Sequence, residues 1–158
     1  MASLTKYFGS TGKIIDTAAI RRKIGKALSD AAIQARNEYK KTVTTWEQSP
    51  EFTITRSGEF ARIVGTENEI YGYVDHGTRP HIIRPTTATN LAFQVGYTPK
   101  TSPRVIGSQA GGNFGPVAFS VKIQHPGTDA REFSKTIANT IQPILLRKFD
   151  QAFQDAQR

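Results

Sequence analysis

Two stretches of helical periodicity, one towards each end of the chain, enclose a middle that repeats every two residues. That order limits the folds open to it. From Asp16, an N-cap residue type, Ile20, Ile24, Ala27, Leu28, Ala31, Ala35, Tyr39, Val43 and Trp46 recur at three- and four-residue steps, the spacing of one helix face. Arg22, Lys26, Arg36 and Lys40 fall off that stripe. Pro50 disfavours a helical Ser49, so the helix ends before the SPEF segment. About 30 residues at roughly 1.5 Å each make a rod on the order of 45 Å long. A domain of this size has little need of such a rod, so part of it is expected to project or to pack on a neighbour. Near the other end, Thr128 or Asp129 can cap a second helix. Phe133, Ile137, Ile141, Leu145, Phe149 and Phe153 run down it at four-residue steps. Pro143 predicts a kink or break there, because it lacks an N–H and crowds the carbonyl of Asn139.

Between the helices the period is two. EFTITR alternates Phe52 and Ile54 with Thr53 and Thr55, SG makes a turn, and EFARIVG follows as a looser strand. TENEIYGYVDHGT suits either a strand or a short helical turn before HGT turns the chain. HIIRP and LAFQVGY are short strands. VAFSVKIQ is predicted as one strand, with Val117, Phe119, Val121 and Ile123 on one side. These elements predict an α+β fold: one small antiparallel sheet flanked by the long N-terminal helix and a C-terminal helix kinked near Pro143. Residues 1–15 are polar and Gly-rich and read as a flexible arm. Residues 16–158 read as a single domain, long enough to bury a core without staples.

The segment TPKTSPRVIGSQAGGNFGP, residues 98–116, is a long Gly- and Pro-rich loop. Loops of that length are either functional or disordered. Val105, Ile106 and Phe114 are expected to lie exposed on a lone subunit, with Lys100 and Arg104 beside them, as contacts to a partner. The sheet itself does not require the length, so replacing residues 100–114 by a short turn is expected to leave the monomer folded and nearly as stable.

Twenty-one Lys and Arg against 13 Asp and Glu leave a net charge of +8. The first 47 residues hold nine of the basic and four of the acidic side chains. Such a balance favours nucleic acid or acidic protein surfaces, and equally describes a basic, solvated helix face. Without cysteine there is no disulfide, thiolate metal site or thiol nucleophile. MASLTKYFGSTGK has no apolar core of a secretory signal, and no apolar run is long enough to span a membrane.

The three histidines all stand at Gly- and Pro-rich punctuation: His76 and His81 in HGTRPHIIRP, His125 in HPGT. Three histidines with Asp75 or Asp129 could hold zinc or perform acid–base work. Their spacing, however, matches neither a helical zinc motif nor one strand face, and GxSxG, GxGxxG and GxxxxGK[ST] are absent. The structural reading accounts for the neighbours as well. Gly77 and Gly127 supply backbone freedom, Thr78 and Thr128 bond locally, Pro80 and Pro126 stiffen the chain, and the rings cover the turns. Tyr71, Tyr73, Phe93, Tyr97 and Phe119 could stack bases on a sheet. With only Arg84 and Lys122 interleaved, core packing is the better use.

YGYVDHGTRPHIIRP, then LAFQV, then FSVKIQHPGTDAREF resembles a family of small virion proteins of long-tailed bacteriophages, known as minor tail components, tail-completion or head–tail joining (neck) proteins. Tyr73, Asp75, Gly77, Thr78, Pro80, His81, Ile83, Leu91, Phe93, His125, Pro126, Gly127, Thr128 and Phe133 stand at the matching positions. The resemblance covers residues 70–135 closely and the upstream helix more loosely. The long loop at 98–116 departs from the pattern. The resemblance implies an α+β fold and a non-enzymatic assembly role, with no cofactor or metal. It implies a homo-oligomeric ring, sixfold or twelvefold, at the head–tail junction. Its partners there would be the head connector or adaptor and the tail-tube or tail-terminator proteins. Double-stranded DNA would pass through the lumen unread. The location would be the virion, and the host cytoplasm during assembly. Two other classes stand beside this reading: a metal-dependent nuclease or hydrolase using His76, His81 and His125, and a small DNA-binding module using the basic first helix.

Overall fold

The computed structural model describes residues 16–112 and 114–156; the expected N-terminal arm, residues 1–15, lies outside them. Asp16 does cap the first helix, α1 (Thr17–Thr42): its carboxylate accepts the Ala19 N–H at 2.9 Å. Lys40 and Lys41 complement the helix dipole in the last turn. The helix stops four residues short of Trp46. A β-branched run, Thr42-Val43-Thr44-Thr45, lowers helix propensity there. The Thr42 hydroxyl also bonds back to the Tyr39 carbonyl at 2.7 Å, and the Val43 N–H closes a tighter turn on Lys40.

Helix α1 packs along the chain's other long helix, α3 (Phe133–Ala156), rather than projecting. The two run antiparallel, with Lys23 Nζ 2.8 Å from Asp155 and Lys148 Nζ 3.4 Å from Asp30. Ala31 meets Ile137 and Ile141 on the buried side. Helix α3 runs through Pro143 without a break. Both Pro143 and Asn139 face outward, so the carbonyl that loses its helical donor is open to water.

Three two-stranded antiparallel ladders replace the single small sheet; the fold remains α+β. Strand β1 (Thr53–Arg56) pairs with β2 (Arg62–Gly65) across a turn in which Gly58 has φ +70°. The ambiguous segment is helical, α2 (Glu69–His76), capped by Asn68 at 2.9 Å from the Tyr71 N–H. Strand β3 (His81–Ile83) pairs with β6 (Ile123–His125), and β4 (Leu91–Gln94) with β5 (Val117–Ser120). The segment predicted as one strand is thus two, serving different partners. Ser120 breaks it: its hydroxyl bonds to the Lys122 carbonyl and faces the Lys122 N–H, bending the chain at Val121. Period-two alternation survives the bend, which is why the sequence reads as continuous.

Near the end of α1 and the start of α3 the core is aromatic. Val43, Phe52, Tyr71 and Phe133 are buried together, with Tyr39, Trp46 and Val74 against them. Tyr71 meets Phe52 edge-on at 5.1 Å between ring centroids, and Tyr39 stacks on Phe52 at 5.2 Å, both favourable geometries. Burial pushes the Tyr71 phenol well above its ordinary pKa; its hydroxyl lies 3.3 Å from that of Thr42.

Candidate functional site

The segments HGTRPH and HPGT lie side by side. Thr78 and Thr128 bridge their backbones in both directions, at 2.9 and 3.2 Å. Three residues further on in one chain direction, and three back in the other, His81 and His125 face each other across β3 and β6, ring centroids 5.0 Å apart. Each ring also bonds to its own turn. His81 Nδ1–H donates to the Arg79 carbonyl at 2.8 Å, while His125 Nδ1 accepts the Gly127 N–H at 3.0 Å. The geometry thus needs a proton on Nδ1 of His81 and none on Nδ1 of His125.

Gly77 and Gly127 answer to close approach. Gly77 has φ +76° and ψ 170°, a region open essentially to glycine alone. A Cβ there would stand 2.6 Å from the Thr128 carbonyl oxygen and 2.8 Å from the Ala130 nitrogen. Gly127, at φ +93°, would press a Cβ into the Thr78 carbonyl in return. Each glycine clears room for the other turn. The threonines act through their backbones; Thr78 Oγ1 is buried and bonds to none of the described residues, contrary to the local bond expected of it. Pro80 and Pro126 lie exposed beside the bridge.

Asp75, a candidate partner for a catalytic histidine, is 3% exposed and is used elsewhere. Its carboxylate accepts the Ser134 N–H at 3.1 Å and the Ser134 hydroxyl. Its main-chain carbonyl accepts the Glu132 N–H at 3.0 Å. It thus caps α3 from 59 residues away in sequence, and the first residue of that helix, Phe133, is 0% exposed. His76 ends α2 on the surface, its Nδ1 3.9 Å from Asp75. Asp129 is exposed. Among the described residues no group of three or more His, Cys, Asp or Glu side chains is placed to hold a metal ion. A cleft of about 560 Å³ lined by Ile70, Tyr73, Arg79, His81 and His125 opens beside the paired rings.

The 98–116 segment is less of a loop than its composition predicts. The β4–β5 ladder continues past the strands: Val95 N–H bonds to Pro116 O at 3.1 Å, and Thr98 and Gly112 exchange two bonds of 2.8 Å. The tip then folds back on the body. Arg104 N–H reaches Arg131 O at 2.8 Å, Arg104 Nε reaches Glu132 at 2.7 Å, and Arg131 Nε meets the Thr101 hydroxyl at 3.2 Å. Arg104 and Glu132 both hold positive φ, 62° and 52°, an unusual conformation for side chains of their kind. The hydrogen bond from Arg104, with Lys135 nearby, keeps the Glu132 carboxyl below its ordinary pKa.

Ile106 packs on both core clusters, so the expectation that it is exposed is corrected; the Arg104 latch carries it inward. Of the five predicted contact residues, Ile106 and Arg104 are engaged within the chain. Lys100, Val105 and Phe114 remain outside, Phe114 77% exposed. Sequence reasoning missed the companions of Phe114. Val117, Phe119 and Val121, read as one side of a strand, are exposed, as are Val95 and Tyr97; for Phe119 and Tyr97 this corrects the expectation of core packing. Of the five aromatics weighed for stacking, only Tyr71 is buried. No family model, curated protein or solved structure matches this chain.

Proposed function

We propose that the chain is a structural protein of the head–tail junction of a long-tailed bacteriophage, a tail-completion or neck component. Copies of it form a ring there between the connector and the tail tube, around passing DNA. One observation carries the reading. Six of the residues on which the resemblance rests, far apart in sequence, form one device: Asp75 caps the helix that begins at Phe133, and Gly77, Thr78, Gly127 and Thr128 interlock beside it. That mutual dependence supports reading these six positions as one pattern. The exposed apolar residues of the β4–β5 ladder suit a subunit that buries them in an assembly.

The test is to image long-tailed particles that carry this chain, labelled with an antibody raised against the purified protein. Label at the head–tail junction, with filled heads and finished tails left unjoined when the gene is disrupted, is the expected result. Label along the tail or at its tip, or normal particles without the chain, overturns the proposal.

A further inference from the structure

The fold uses only one nitrogen of each paired histidine. His81 spends Nδ1 on the Arg79 carbonyl and His125 spends its own on the Gly127 N–H. Among the described residues neither Nε2 has a hydrogen-bond partner. Both rings line the cleft of about 560 Å³, a volume within the range of small-molecule sites, roughly 300–1,000 Å³. Arg79 lines it with them, and Ile70 and Tyr73 of α2 supply apolar wall. These two side chains are 61% and 54% exposed, so nothing in the chain covers them fully. No carboxylate lines the cleft. Glu69 comes near, 3.5 Å from the Tyr73 hydroxyl, without being part of the wall.

We infer that this cleft binds a small organic acid, its carboxylate among Arg79, His81 and His125 and its apolar body against Ile70 and Tyr73. Charge selects the ligand. Arg79 is the one permanently charged side chain of the lining, which suits a monoanion better than a doubly charged phosphate ester. A guanidinium also takes a carboxylate through two parallel hydrogen bonds. The bonds already made give the two histidines different parts. With its Nδ1 accepting, neutral His125 carries its proton on Nε2 and donates as it stands. A second proton would have to enter at Nδ1, against the Gly127 N–H. His81 has its proton on Nδ1, so its Nε2 is a bare lone pair that repels a carboxylate. A proton added there makes it a donor and leaves the bond to the Arg79 carbonyl intact. Binding therefore takes up one proton, at His81 Nε2. The other charged or titratable groups around that ring are Arg79 of its own turn, His125 of β6 and Tyr73 of α2. The bound acid favours charged His81, so affinity rises as pH falls from about 8 to about 6.

Benzoate, acetate and inorganic phosphate are the probes, titrated by calorimetry into the full-length protein while NMR follows the imidazole nitrogens. Benzoate is expected to bind about tenfold or more tighter than acetate or phosphate, and tighter at about pH 6 than at about pH 8. Its heat should vary with the ionisation enthalpy of the buffer, as proton uptake requires. His81 Nε2 should move to its protonated position while His125 keeps its tautomer. Arg79→Gln and His81→Gln, both at exposed positions, should each weaken benzoate by about tenfold or more, and His81→Gln should abolish the proton uptake. Circular dichroism checks that both are folded. The inference is overturned if benzoate does not bind by about 10 mM, or binds no tighter than acetate. Binding without proton uptake, or binding unchanged in folded Arg79→Gln, overturns it too. Tighter binding of phosphate than of benzoate would give the cleft to a different anion. None of these results bears on the neck reading, which the particle images test separately.

Discussion

Replacing Gly77 by alanine tests whether the two turns interlock as described. The substitution adds one carbon where φ is +76° and ψ 170°; a side chain in that region is strained by about 1–3 kcal/mol. The carbon also meets the Thr128 carbonyl oxygen at 2.6 Å and the Ala130 nitrogen at 2.8 Å. Both are backbone atoms, fixed by the Thr78–Thr128 bridge and by the capped start of α3, so neither can swing aside. Overpacking of this kind adds about 1–3 kcal/mol, and the stiffer unfolded chain returns about 0.4–1 kcal/mol. The net loss is about 1–5 kcal/mol, or roughly 2–20 °C in melting temperature for a domain of this length. Gly58 supplies the control: its φ is +70°, with nothing within 4 Å of an added Cβ. Gly58→Ala therefore carries backbone strain alone, about 1 kcal/mol. Thermal unfolding by calorimetry or circular dichroism reads both. If Gly77→Ala loses no more stability than Gly58→Ala, the close approach of the two turns is wrong.

Asp75→Ala removes the cap of α3 and strands the Ser134 N–H and hydroxyl, so it should destabilise by about 2–3 kcal/mol. Asp75→Asn keeps an acceptor and should lose less; equal losses in urea unfolding would deny the capping role. Glu132 has a depressed carboxyl pKa, so its ion-pair contribution is present above the ordinary carboxylate range and is lost as pH falls through the lowered value. Arg104→Gln should raise that titration midpoint part of the way, Lys135 remaining 3.6 Å away; carboxyl-carbon NMR would show it, and an unmoved midpoint would count against the latch. Replacing residues 100–114 by a short turn, expected from sequence to be harmless to the monomer, should instead destabilise it by about 1–3 kcal/mol through the loss of Ile106 from the core. An unchanged denaturation midpoint would return the segment to the status of a passive insertion.

The elements legible in the sequence are those whose causes are local. Asp16 and the four-residue spacing of Phe133, Ile137 and Ile141 announce two helices, because a cap and a stripe act within a few residues. The EFTITR–SG–EFARIVG hairpin is legible for the same reason. The rest depends on partners distant in sequence. Alternation through Val117, Phe119, Val121 and Ile123 indicates a pleat but not which ladder each half joins. Nor does it indicate that the apolar side of β5 faces away from the core. Asp75 reads as a possible general base, since nothing near it names Ser134. The Gly- and Pro-rich 98–116 segment hides the Arg104–Glu132 latch behind a composition that signals a loop. Gly77 and Gly127 are the intermediate case. Their need for freedom is legible in HGT and HPGT, but its cause, each turn pressing on the other, is not.

The latch bears on how the β4–β5 arm could serve an assembly. An apolar hairpin free to flex would have to be ordered at each contact, at roughly 0.5–1.5 kcal/mol for every side chain immobilised, and would be free to fold against its own body. Here the base is braced by the paired bonds of Thr98 and Gly112, and the tip is tied to the start of α3 by Arg104 and Ile106. That tie ends at Arg131 and Glu132, next to the residues Asp75 caps, so the arm and the interlocked turns share one foundation. Ordering is thus completed on folding, and Phe114, Val117 and Phe119 are held outward. In the proposed assembly, side chains already held outward would lose less entropy on association than those of a flexible hairpin.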